Sequence, residues 1–274
     1  MSQTTRTMHR RLILELGQGH ADDATIRVAV EFALGLGLDL HGLFIEDEAL
    51  LHLAALPFAR EIRLPSHQWE KMDTVRLEAE LRHAAETEHR RLRQAAAALG
   101  IAAAFEVLRG EPRLCIAGVC TPADIVVMPA IEGTNPFAAA LLLAAGESGA
   151  SVLLAPTHAA RRTGPVAVVV GGADDTDLPL AARMAETNHE RLLVVAPETG
   201  TAPATPEDFA SGTGIAPDRL TIRGAAGSRP DDVLRALTGA RERIVILTRQ
   251  TMLHLGMDDA SRIARARGIP VLVL

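Results

Sequence analysis

The chain of 274 residues is 48% hydrophobic with a net charge of −6, enough apolar material for one large domain or two of ordinary size. An acidic balance, 3% aromatic residues, no Tyr and the single Trp69 argue against a nucleic-acid surface, which needs basic patches and stacking platforms. Lys71 is the only lysine among 28 basic residues and no G-K-[ST] occurs, so a Walker A loop is excluded and lysine-dependent covalent chemistry would rest on one residue.

In chain order, short apolar runs bounded by turn residues alternate with helical patterns, which predicts stacked βαβ units and a mostly parallel sheet. Arg11–Leu16 is the first strand, and its apolar run is too short for a signal segment or a membrane span. With the equally short run Phe137–Ala145, this predicts a cytoplasmic protein that does not cross a membrane. Asp22 and Asp23 then cap a helix that places Ile26, Val30, Ala33 and Leu34 on one face. Leu40–Glu46 is the second strand. The connection Asp47–Gln68 leads into a long helix predicted from about Trp69 to Leu99, with Lys71 on its polar face. Leu77, Leu81, Ala85, Glu88, Leu92, Ala95 and Leu99 form its core-facing stripe, and Gly100 ends it. A third strand (103–110), a short helix Pro112–Val119, a strand from Asp124, a helix near Pro136–Ala145 and the strand Ser151–Ala155 follow. Cys115 and Cys120, five apart, read as reduced, buried small side chains rather than a metal or disulfide framework.

After a polar linker, Pro156–Pro165, the second half repeats the first. P-V-A-V-V-V-G-G-A-D-D matches R-L-I-L-E-L-G-Q-G-H-A-D-D, each a strand, a glycine turn and two acids before an amphipathic helix. R-L-T-I-R-G then a Pro-opened helix matches A-F-E-V-L-R-G, and P-V-L-V-L closes the chain as S-V-L-L-A closes the first half. The domains expected are 1–156 and 165–274, with Glu198–Asp218 as a loop where the first half has its long helix.

This order of elements, with five strands per unit and the P-V-L-V-L ending, resembles the universal stress protein A family in its tandem form, from about Arg11 to Leu274. The resemblance implies two doubly wound five-stranded parallel sheets of the adenine nucleotide alpha hydrolase type, a pseudo-dimer within one chain. It implies a nucleotide site, where one exists, between the first and fourth strands. It further implies antiparallel pairing of the last strands, Ser151–Ala155 with Pro270–Leu274.

In the family's ATP-binding members an Asp ends the first strand and G-x-x-G-x9-G-[ST] follows the fourth. Here the Asp position holds Leu16 in one half and Gly171 in the other, and Glu15 falls one residue early, pointing to the other face. Gly133, Gly146 and Gly149 do not reproduce the glycine spacing, nor do Gly256 and Gly268. Asp174, Asp175 and Asp177 read as caps of the next helix that would repel a diphosphate. No catalytic residue and no metal ligand set is expected. The expectation is a non-catalytic regulatory module, monomeric as a pseudo-dimer or a homodimer, with a protein partner or small ligand. An adenine nucleotide with slow hydrolysis is the disfavoured alternative. If the first half keeps a ligand site, it lies at Leu14, Leu16, Gly17, Gly19, His20, Gly133, Thr134 and Asn135. The apolar insert 50–66 follows the second strand, so Leu53, Leu56, Pro57 and Phe58 are candidates to cover the cleft. Arg60 and Arg63 are candidates to meet an anion or a partner.

Overall fold

The computed structural model describes residues 9–17, 21–63, 67–130, 136–156, 161–198 and 205–274, in which strands and helices alternate. The first half runs β1 (Arg11–Glu15), α1 (Asp23–Leu36), β2 (Asp39–Asp47), α2 (Glu48–Ala55), β3 (Arg60–Arg63), β4 (Gln68–Lys71), α3 (Thr74–Ala98), β5 (Ala103–Gly110), α4 (Pro112–Val119), β6 (Asp124–Pro129), α5 (Pro136–Ser148) and β7 (Ser151–Ala155). The second runs β8 (Val166–Val169), α6 (Leu178–Thr187), β9 (Leu192–Pro197), α7 (Pro206–Thr213), β10 (Leu220–Ala225), α8 (Pro230–Ala236), β11 (Ile244–Leu247), α9 (Arg249–Met252), α10 (Met257–Arg267) and β12 (Val271–Val273).

Ten strands form one sheet in the order β10-β9-β8-β11-β12-β7-β6-β1-β2-β5. Each half is parallel and winds outward in both directions from its first strand, so β1/β6 and β8/β11 are switch points. The halves join where β12 meets β7 antiparallel, Val271 opposite Leu154, Leu272 opposite Leu153 and Val273 opposite Val152. This is the pairing the resemblance implied, and it removes two strand edges at once. Strand alternation divides the core. Leu12, Leu14 and Leu16 join the apolar cluster under α1, α3, α6 and α7, while Ile13 joins the one under α4, α5, α8 and α10. Helices therefore cover both faces, as an α/β doubly wound fold requires.

Local signals account for most helix ends. The Asp22 carboxylate accepts from Thr25 N–H at 2.7 Å to open α1, and Gly37 closes it at φ 63°. Leu34, expected on the buried face, is exposed; Val28, Ala29 and Phe32 carry the burial instead, because α1 packs against α6 as well as the sheet.

Three expectations in the connecting segments are corrected. Trp69 and Lys71 lie in β4 rather than in the long helix, because Gln68–Lys71 pairs antiparallel with Arg60–Arg63. The helix starts only where Asp73 caps Val75 N–H at 3.0 Å. Leu99, placed on its core stripe, is exposed beyond the last turn, while Ala85 and Leu92 are buried. The stretch 198–218 is not all loop. In α7, Pro206 starts the helix, the Asp208 carboxylate accepts from Thr205 N–H at 2.7 Å, and Phe209 is fully buried. Both cysteines are free, and burial pushes the Cys120 thiol up to about 12. Among the described residues no helix is long and apolar enough to cross a membrane.

Candidate functional site

Open α/β sheets bind ligands beyond the carboxyl ends of their strands at the switch point. In each half that place begins with a glycine turn, so the decisive question is where the glycine N–H points.

In the first half the Gly17 N–H donates to Glu15 Oε1 at 2.6 Å. Glu15 is 3% exposed, and its other oxygen has no partner among the described residues. Burial, with some repulsion from Glu88, pushes this carboxyl up to about 8 against the opposing pull of the Gly17 N–H. Glu15 thus does fall on the opposite face from Leu14 and Leu16, and then folds its carboxylate back over the strand end. Leu14 and Leu16 are core side chains, and the Leu16 N–H is taken by Leu43 C=O at 2.8 Å. Gly19, His20, Gly133, Thr134 and Asn135 lie outside the described residues.

The second half reaches the same end by another route. The Gly171 N–H donates to Asp175 Oδ2 at 3.1 Å, and the Thr248 hydroxyl, just past β11, donates to that same oxygen at 2.6 Å. Asp175 Oδ1 accepts from Asp177 N–H at 3.1 Å. Asp177 in turn accepts from Arg249 N–H at 3.0 Å and from its guanidinium at 3.1 Å. Asp177 stands at the N-cap position of α6 without a side-chain cap bond, and the side chains of Asp175 and Asp177 instead lace the turn after the first strand to the turn after the fourth. The Thr248 hydroxyl also caps α9, accepting from Thr251 N–H. A Thr directly after an apolar strand was the available sequence signal for this junction.

Beside this junction is a cavity of about 510 Å³ lined by Val169, Gly171, Val195, Ser228, Gln250, Thr251 and His254. A Cβ at position 171 would come within 2.5 Å of Gln250 Oε1, the end of a side chain that can turn aside, and 3.0 Å of its Cβ. Among the described residues the lining supplies hydroxyl, amide and imidazole groups and no lysine or arginine. It can hydrogen-bond a small polar ligand.

The insert is held down by the inner face of α2 and exposes most of its apolar side chains. Leu51 and Ala54 pack α2 down, whereas Leu53, Leu56 and Phe58 are exposed. Arg60 is also exposed, and Arg63 is described only as the last residue of β3.

The whole arrangement is similar to the structure of a universal stress protein from Archaeoglobus fulgidus DSM 4304, at 13% identity over 95% of both chains with a TM-score of 0.63. A functionally unknown protein from Pseudomonas aeruginosa PAO1 matches at 14% identity and a TM-score of 0.52, over 97% of this chain and 92% of that one. No family model and no curated protein matches the sequence. The fold is that of the universal stress protein structures.

Proposed function

We propose that the chain is a tandem universal-stress-protein-like regulatory module of the cytoplasm, with domains 1–156 and 165–274, that acts through protein contacts or a small ligand and carries out no catalysis. One observation supports this above the others. In both halves the glycine N–H that would face a ligand anion already bonds a carboxyl group of the chain itself, Glu15 in one and Asp175 in the other. An incoming phosphate would have to displace that hydrogen bond to reach the donor.

Isothermal titration with ATP, ADP and cyclic nucleotides, with and without Mg²⁺, tests the reading. The expected result is no binding tighter than about 100 μM, roughly −5.5 kcal/mol. Tighter binding would overturn it in favour of an adenine-nucleotide site in the first domain.

A further inference from the structure

Exposed apolar side chains gather in one segment. Leu53, Leu56, Phe58, Ile62, Trp69 and Val75 are all exposed, and all fall between α2 and the first turn of α3. Phe58 is 74% exposed and Trp69 63%. Single exposed apolar residues need no explanation, whereas Ile62 and Trp69, the chain's only Trp, stand opposite each other as an exposed pair of the kind that marks an interaction surface.

The register of the β3-β4 hairpin decides which groups share a face. Ile62 stands opposite Trp69, and Arg60 opposite Lys71, so the two-residue period places all four on one face. Glu61 and Glu70 take the other face, where Glu61 forms an ion pair with Arg76 of α3. That pairing turns the carboxylate face inward and the Arg60–Lys71–Ile62–Trp69 face outward. Two cations directly opposite one another on a hairpin repel. Among the described residues neither Arg60 nor Lys71 has an ion-pair partner to relieve this.

We infer that the outward face of this hairpin is a docking surface for an acidic, aliphatic segment of a partner protein, its carboxylates held by Arg60 and Lys71 and its side chains packed on Ile62 and Trp69. Charge complementarity selects that occupant. A second copy meeting this face across a two-fold axis would set the cation pair against itself. An anionic bilayer is held by clusters of about four to eight cations, and this face presents two, Arg60 and Lys71. The inference rests on the protein-contact reading and adds the chemistry of the partner.

Because Trp69 is the only Trp, its fluorescence reports this surface alone. The full chain is titrated with a peptide of alternating Glu and Leu, with its Lys and Leu counterpart, and with phosphatidylcholine vesicles containing phosphatidylserine. A dilution series of the chain alone completes the set. The Glu–Leu peptide is expected to give a saturable blue shift. Binding weakens about tenfold or more in Arg60→Glu/Lys71→Glu, whose circular dichroism stays that of the parent. An equal response to the Lys–Leu peptide, a shift only with vesicles or only with chain concentration, or no shift at all overturns the inference. Nucleotide binding by calorimetry would instead overturn the non-nucleotide reading and leave the Trp69 result standing.

Discussion

Glu15 and Asp175 both accept from a glycine N–H at the end of a first strand, with different hydrogen-bond partners. Asp175 accepts from Gly171 N–H, Thr248 Oγ1 and Asp177 N–H, so both of its buried oxygens are hydrogen-bonded. Glu15 has one donor, Gly17 N–H, and burial dominates, which leaves its carboxyl at about 8 instead of the usual 4.5. A raised acid holds a proton in the folded chain that the unfolded chain releases. Its contribution to stability is therefore complete below about pH 4.5 and is lost as pH climbs to about 8. Glu15→Gln keeps an acceptor for Gly17 and carries no titrating proton. Relative to the parent, it should gain stability between about pH 5 and about pH 8, on the order of a few kcal/mol. Urea unfolding at the two pH values checks this; a parent-to-variant difference that is the same at both would show that Glu15 is not held protonated.

At the scale of elements, α3 lies on β2 because β2 leaves it room. A Cβ at Gly42 would come within 2.4 Å of Leu92 Cδ2 and 2.9 Å of Phe105 Cδ2. Gly42→Ala should overpack this contact and destabilise the chain by about 1–3 kcal/mol, read as a lower urea midpoint at unchanged slope. A neutral result would mean that α3 shifts freely along β2. Strands and helices of the sheet were legible from sequence because burial imposes a period: Leu12, Leu14 and Leu16 alternate with Ile13, and Ala85 and Leu92 keep the helical stripe. The β3-β4 hairpin was not legible, since its outward Ile62 and Trp69 are exposed and leave no burial pattern to read. In α7 the prolines masked a helix that Phe209 anchors in the core. At the clefts, absence of the family Asp and glycine spacing could be read directly. The hydrogen bonds of Glu15 and Asp175 to the glycine amides could not, because they depend on side chains turning onto N–H groups two residues ahead and four residues behind.

At the scale of the molecule, the seam between β7 and β12 makes ten strands one sheet, and the side chains that meet there are nearly the same from both sides. Val152, Leu153 and Leu154 face Val273, Leu272 and Val271 in antiparallel register. The helices beside the seam also meet, α1 against α6, and Glu31 of α1 forms an ion pair of 2.7 Å with Arg162 before β8. Residues 1–156 expressed alone would lose all of this and present the β7 edge, apolar and lined with unpaired N–H and C=O groups. A second β7 can stand in for β12, since an antiparallel pair of identical strands is compatible with two-fold symmetry. The fragment should therefore form a dimer that light scattering measures at about twice the fragment mass, with parent-like far-ultraviolet circular dichroism. Aggregation without a discrete dimer would show that β7 requires the particular geometry of β12. A folded monomer would show that the first half needs no cover on this edge, and that the seam joins two self-sufficient units.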